Sequence, residues 1–202
     1  MCVYSPQVGD IAACYGRDFA SRFISGVTVN PFSPSGLRFG PSHVAIIADL
    51  HFHQGRYWYE STTMCGHDCL MAGKPDSGVQ VHHHGSRIKD YTSKGGKVAI
   101  YRLTRSLSNA DESELSQVLF DYLSAGTEYD MDGAITSGAR ITRRLLNLFG
   151  VHDDRLFCSE LVAAGLMEID LMNRDDPGRF TPAGLLRLLV RHNVYKHEVT
   201  IR

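Results

Sequence analysis

Alternating and continuous runs of apolar residues dominate the first half of the chain and predict β-strands. Residues 42–48 are apolar on both alternating faces except at His43, which predicts a central strand with a histidine at its entrance. Residues 57–63 are rich in aromatic side chains and contain Glu60, and the short connection before them predicts an antiparallel pair. Further strands are predicted at residues 8–15, 79–83 and 98–103, whereas the rest of residues 64–97 is polar and glycine-rich.

The spacing of apolar residues changes to the helical period in the second half of the chain. Apolar residues from Leu115 to Leu123 follow an acidic first turn, and Gly126 is a helix stop. Thr181 followed by Pro182 is typical of a helix start. Other helices are predicted at residues 18–27, 135–149 and 158–169, with an edge strand at residues 195–201. A mostly antiparallel sheet followed by a helical cluster is an α+β pattern.

Cys158 occupies a position in this pattern that suits a nucleophile. Residues 155–166 read as a short loop leading into a helix, with Cys158 at or just before the first helical turn. The unpaired N–H groups and the positive end of the helix dipole there favour a thiolate and supply donors for an oxyanion. A buried core cysteine is the alternative interpretation of the same pattern.

Composition and charge narrow the class of protein. The chain has 202 residues, 43% of them hydrophobic, and no composition break divides it, so one domain is expected over residues 1–202. The formal net charge of −1 gives no electrostatic argument for nucleic acid, and no run is apolar enough over sufficient length to span a bilayer. The first residues lack a secretory signal, which predicts a cytoplasmic protein, or one that is phage-associated or released by lysis.

A thiolate nucleophile needs a base within hydrogen-bond reach, and that base needs a third group to fix its ring. Of the ten histidines, His43 has a rigid support because it begins a buried strand. Glu60 lies on the neighbouring strand, where a carboxylate can orient the imidazole and favour its charged form. In the alternative interpretation neither residue is catalytic. His43 is then a polar residue at a strand end whose hydrogen bonds are satisfied, and Glu60 is exposed to solvent. If the strand register differs, His51, His53 or His82 takes the orienting role.

Five short motifs occur in an order that resembles one family. They are Gly9–Ile11, Ser42–Ile46, Tyr59–Ser61, Gly126–Asp130 and Phe157–Val162. In that order they resemble the permuted NlpC/P60 papain-like family, and within it the YiiX-like group. The histidine precedes the cysteine, as in permuted members, and the same spatial site can result from either order. The resemblance implies a circularly permuted papain-like fold of the NlpC/P60 type, with a mostly antiparallel sheet packed against a helical cluster.

The resemblance also implies roles for individual residues. Cys158 corresponds to the nucleophile, His43 to its base and Glu60 to the third polar residue. Tyr129 matches a tyrosine that approaches the cysteine and contacts substrate or oxyanion, and a tyrosine that packs a helix start is the alternative. The implied activity is that of a thiol hydrolase without a cofactor, which cleaves a small peptide amide, such as a cell-wall peptide, through an acyl-enzyme.

Two other functions fit the sequence. Lipid or ester acyl hydrolysis or transfer would use the same site, and exposed apolar residues beside the pocket would favour it. A binding module without turnover would hold zinc at Cys65 and Cys69 with His82–His84, a spacing that superficially matches zinc ligands. Because the cysteine count of five is odd and no secretory signal is present, reduced thiols in a solvent-facing loop are the favoured interpretation, and no metal is expected.

A cluster of basic residues in the second half of the chain allows a further pair of interpretations. The cluster receives an anionic substrate, or it forms the solvated face of a helix. Its members are Arg140, Arg143 and Arg144.

Overall fold

The computed structural model of the protein describes residues 4–17, 29–33, 35–51, 53–62, 65–125 and 154–202. Six strands occur in this part of the chain: β1 (Ile11–Tyr15), β2 (His43–Leu50), β3 (His53–Thr62), β4 (Gly78–His83), β5 (Lys97–Leu103) and β6 (Tyr195–Ile201). They form one antiparallel sheet in the order β4-β3-β2-β1-β5-β6. The strand predictions are therefore confirmed, with small differences in their bounds.

Four α-helices accompany the sheet in the described residues. They are α1 (His84–Ser93), α2 (Asn109–Ser124), α3 (Asp154–Glu168) and α4 (Pro182–Arg191). Ser108 caps α2 in a reciprocal capping box with Asp111, and Thr181 caps α4 by accepting a hydrogen bond from the N–H of Gly184. Sheet and helices together confirm the α+β class. None of these helices combines the length and the apolar character that crossing a bilayer requires.

The alternation of side chains along β2 divides the interior into two cores. Val44 and Ile46 point into the larger core, where the sheet packs against α2, α3 and α4. Ala45 and Ile47 point into the smaller core on the opposite face, which also holds Trp58 and is covered by α1. A strand that is covered on both faces is apolar at nearly every position, which is why residues 42–48 lack a polar face.

Helix α1 was not predicted, because its sequence is polar and glycine-rich. Its start carries no side-chain cap, and Gly85 is its second residue. The side chain that it buries most completely is Arg87. Predictions from periodicity use buried apolar residues, so a buried arginine gives no helix signal. The helix is therefore held to the sheet partly through a charged group.

Several sequence predictions lie outside the described residues. They are the helices at residues 18–27 and 135–149, the substrate contact at Tyr129, and the basic cluster of Arg140, Arg143 and Arg144. They stay predictions.

Candidate functional site

His43 lies at the amino end of β2, where its ring is held by an acidic neighbour. Its Nε2 atom is 2.7 Å from the Oε2 atom of Glu60 on β3. His43 is 7% exposed and Glu60 is fully buried, so water competes little for this contact. The antiparallel pairing of β2 with β3 places the two residues one diagonal step apart on the same face of the sheet.

Cys158 extends from α3 and forms a side-chain hydrogen bond with His43. Because Nε2 of His43 is occupied by Glu60, Nδ1 is the ring nitrogen that remains for the thiol. Cys158 is fully buried and otherwise packs in the larger core. The structure thus brings together the cysteine, histidine and glutamate that the sequence singled out, across three separate elements.

The position of Cys158 within its helix differs from the sequence prediction. Helix α3 begins at Asp154, so Cys158 is its fifth residue and does not precede the first turn. In a helix with these bounds the N–H of Cys158 points toward the carbonyl of Asp154, and the free N–H groups belong to the residues before it. The acidic residues Asp153 and Asp154 are typical of a helix start and were the available signal for the earlier beginning.

Arg87 of α1 is the partner of Glu60 that sequence reasoning missed. Its Nε atom donates to Oε1 of Glu60 at 2.5 Å and its Nη2 atom donates to Oε2 at 3.2 Å, a bidentate pairing in which Arg87 is only 4% exposed. Its Nη1 atom donates to Asp90 at 2.7 Å. Glu60 is therefore fixed from two sides, by His43 and by Arg87, and cannot turn away from the imidazole without breaking a buried ion pair.

These contacts shift the protonation equilibria of the site. Burial opposes the charged form of His43, but Cys158 and Glu60 together raise the pKa of His43 to about 9. Burial also opposes the charged form of Glu60, yet His43 and Arg87 hold the pKa of that carboxyl well below its usual range. The arrangement favours an imidazolium beside a carboxylate at neutral pH, which is the state that stabilises a neighbouring thiolate.

The fold is expected to lose the stability that His43 contributes as the pH rises through about 9. His43 binds its proton more tightly in the folded state than at the ordinary value of 6.5, so its contribution is complete below 6.5 and disappears above about 9. The difference in unfolding free energy between the parent and His43→Gln should therefore shrink from about pH 6 to about pH 10 in denaturant titrations.

The exposed neighbour His83 provides a matched control for this measurement, because His83→Gln changes the same side-chain type outside the buried cluster. Its difference from the parent should stay small and constant over the same pH range. A His43→Gln difference that does not change between the two pH values would contradict the charged state assigned to His43.

The competing orienting residues lie elsewhere. His51 and His53 are exposed, and His51 contacts Gln117 at 2.6 Å through its Nε2 atom. His82 is buried, and its Nε2 atom is 3.7 Å from Oε1 of Glu60, on the side of the carboxylate away from His43. The orienting contact on His43 therefore comes from Glu60.

A second group of potential ligands shares Glu60. A carboxylate oxygen of Glu60, the sulfur of Cys65 and a ring nitrogen of His82 lie within 4.8 Å of one another, and all three residues are buried. Burial raises the pKa of the Cys65 thiol, and burial lowers the pKa of His82. This set differs from the zinc ligands that the sequence offered as an alternative, because Cys69 packs in the larger core and His83 is exposed. Cys65 and Cys69 are both buried, so the favoured interpretation of solvent-facing thiols is wrong.

A separate cavity of about 380 Å³ lies beside α4. Its lining is mainly apolar and includes Leu171, Met172, Phe180, Leu188 and Val194. The residues that contact His43 are not part of this lining, and Ser159, next to Cys158, donates from its Oγ atom to the carbonyl of Phe180 at 2.5 Å. The cavity is therefore distinct from the buried Cys158 site.

Comparisons with known proteins give similarities in structure. No family model matches the chain, and no curated protein matches it. A similar solved structure is that of the metalloprotein YiiX from Escherichia coli O157:H7, with 17% sequence identity and a TM-score of 0.50. The match covers 97% of this chain and 89% of that chain. At this identity the likeness shows a shared α+β fold, which is consistent with the YiiX-like group that the motifs resemble.

Proposed function

We propose that the protein is a cysteine hydrolase that cleaves an amide bond through a covalent acyl-enzyme on Cys158. The observation that carries the proposal is a pair of hydrogen bonds on the His43 ring. One joins the ring to the Cys158 side chain, and the other joins its Nε2 atom to the carboxylate of Glu60. A nucleophile, its base and an orienting group in series are the arrangement that thiol hydrolysis requires. The proposed roles are nucleophile for Cys158, general base and acid for His43, and positioning residue for Glu60.

The proposed reaction begins from an ion pair in which the proton of the Cys158 thiol already resides on His43. The sulfur attacks the carbonyl carbon of the substrate and forms a C–S bond. The C–N bond then breaks, and His43 returns the proton to the departing amine. Water, deprotonated by His43, attacks the thioester, the C–S bond breaks and the carboxylic acid leaves, which restores the Cys158 thiolate beside the His43 imidazolium. Glu60 keeps Nδ1 of the ring toward the sulfur throughout, because Nε2 is bound to its carboxylate.

We further propose that the fold is a circularly permuted papain-like fold of the NlpC/P60 type. Three features support this proposal: the order of His43 before Cys158, a cysteine on a helix that packs against the sheet, and an acidic residue one strand after the histidine. The proposed substrate is a small peptide amide, such as a cell-wall peptide, with Tyr129 as a substrate contact. Both proposals go further than the shared α+β fold and rest on the family resemblance.

A second candidate activity, hydrolysis or transfer of a lipid or ester acyl group, has one specific observation in its favour. Phe32 is 96% exposed and Phe39 is 64% exposed, and both precede His43 in the loop that leads into β2. Large apolar side chains that stay in water suit contact with an acyl chain or a lipid surface. The two candidates use the same nucleophile and differ in the acyl group they accept.

Labelling of the intact protein with a panel of electrophilic amides and esters tests the proposal. One adduct per chain is expected, and peptide mapping should place it on Cys158. The buried thiols of Cys14 and Cys65, whose pKa values burial raises, serve as controls within the same molecule and should stay unmodified at neutral pH. Equal modification of all three cysteines, or an adduct on Cys65 alone, would contradict the proposed nucleophile.

The same panel separates the two candidate activities. Rates that depend on the peptide portion and are unchanged in Phe32→Ala with Phe39→Ala favour the amidase. Rates that rise with acyl-chain length and fall in that double variant favour the ester or lipid activity. Leu70→Ala with Met71→Ala is a matched control, because these apolar residues are similarly exposed but lie in a different loop.

A further inference from the structure

The second ligand group, composed of Glu60, Cys65 and His82, has the features of a metal site. We propose that these three residues bind one Zn²⁺ ion. Their ligand atoms lie within 4.8 Å of one another, and exposure is 0% for Glu60, 5% for Cys65 and 2% for His82. This site goes beyond the proposed hydrolase activity, because neither Cys65 nor His82 takes part in that reaction.

The orientation of His82 is that of a metal ligand. Its Nδ1 atom is 3.2 Å from the carbonyl oxygen of Asp68, which accepts a hydrogen bond in the tautomer with the proton on Nδ1. Its Nε2 atom then presents a lone pair toward Glu60, whose Oε1 atom is 3.7 Å away. Histidine ligands usually donate their second ring N–H to a backbone carbonyl or carboxylate in this way, which fixes the tautomer and the ring plane.

Gln80 adds an independent indication that a cation belongs beside His82. Both protons of its side-chain amide are used, because Nε2 of Gln80 contacts the carbonyls of Thr62 at 2.7 Å and Asp76 at 2.6 Å. Its Oε1 atom therefore faces Nε2 of His82, at 3.1 Å. Both ring nitrogens of His82 thus face oxygen acceptors, whereas a neutral imidazole carries a proton on only one nitrogen. In either neutral tautomer the other nitrogen therefore directs its lone pair at an oxygen. A cation bound at Nε2 removes this conflict, and protonation of His82 is the competing explanation.

The donor set and the local charges suit Zn²⁺. A thiolate, an imidazole and a carboxylate are typical zinc ligands, and hard cations such as Mg²⁺ disfavour the sulfur. Cys65 would bind as a thiolate, so formation of the S–Zn bond releases the thiol proton to solvent. The negative charges of Cys65 and Glu60 then match the divalent cation. Arg87 pairs with Asp90 as well as with Glu60, since Oδ2 of Asp90 lies 2.7 Å from its Nη1 atom.

Titration of chelator-treated protein with Co²⁺, a spectroscopic substitute for Zn²⁺, tests the site without measuring activity. The expected result is about one Co²⁺ per chain, with a thiolate-to-cobalt absorption band that Zn²⁺ abolishes by displacement. Cys65→Ser should remove the band, and His82→Gln should weaken binding about tenfold or more. Circular dichroism of both variants verifies that they are folded.

Two control variants make the assignment specific. His83→Gln changes the exposed neighbour of His82 and should bind Co²⁺ like the parent. Cys158→Ala removes the thiol that is hydrogen-bonded to His43 and should retain the band, so that failure of the hydrolase proposal does not affect this test. A parent protein without the band, or a band that is lost in Cys158→Ala and retained in Cys65→Ser, overturns the proposal. Two protonated ring nitrogens on His82 in nitrogen NMR of the Zn²⁺-treated parent would overturn it as well.

Discussion

Replacement of Cys158 by alanine is expected to abolish covalent labelling and to reduce turnover roughly 10⁴-fold or more. The sulfur is the atom that bonds to the substrate in the proposed reaction, and His43 alone cannot replace it. The variant should fold, because alanine is apolar and Cys158 packs in the larger core, so the cost is limited to a small cavity. Intact-mass analysis after labelling, with turnover and thermal unfolding on the same samples, measures all three effects.

Cys69→Ala is the matched control for this variant. Cys69 is also a buried thiol in the larger core, but it belongs to the loop after β3 and lies outside the His43 contacts. Its substitution should preserve labelling and turnover while lowering stability by a similar amount. Substantial turnover in Cys158→Ala, with the fold intact, would refute the acyl-enzyme mechanism.

Glu60→Gln is expected to reduce turnover by about two orders of magnitude or more and to destabilise the fold by about 3–5 kcal/mol. The loss of turnover follows from the loss of the charge that holds His43 and stabilises its imidazolium. The loss of stability follows from Arg87, because the variant leaves this buried guanidinium without its carboxylate partner. The sequence predicted the first effect with an intact fold, and the structure adds the second.

The pH dependence separates the two effects of Glu60. The pKa of Glu60 lies well below its ordinary value of 4.5, so its contribution to stability is complete above about 4.5 and is lost as the pH falls below that value. The free-energy difference between parent and variant should therefore decrease in acid. Because Glu60 also raises the pKa of His43, the alkaline limit of turnover, above which His43 lacks the proton for the departing amine, should move to lower pH in the variant. A purely structural role would not cause this shift.

Glu198→Gln is the control for removal of a carboxylate. Glu198 pairs with Arg102 at 3.1 Å on the surface, and exposed ion pairs contribute at most about 1 kcal/mol. A Glu60→Gln protein as stable as Glu198→Gln would show that the ion pair with Asp90 is sufficient to stabilise the buried Arg87. A Glu60→Gln protein with the parent's turnover and labelling profile would show that Glu60 does not orient His43.

The sequence by itself determined the elements that carry the site and two of its residues. Continuous apolar runs locate the strands, because a strand that is buried on both faces has few polar positions. His43 is the polar residue at the start of such a run, which identified it as a candidate. The helix of Cys158 followed from its apolar stripe, although its first turn begins earlier than the pattern indicated. The order of the motifs then related these residues to one family.

Only the tertiary structure decided which side chains meet. The sequence favoured Glu60 but left His51, His53 and His82 as competitors, because it did not fix the strand register. The register of β2 with β3 places Glu60 against His43. Arg87 escaped prediction because periodicity reports burial of apolar groups, whereas this helix buries a charge that its partner on another element neutralises. The sequence also does not show that Glu60 lies beside Cys65 and His82. Contacts between distant segments depend on how the elements pack, and local patterns of the chain do not report them.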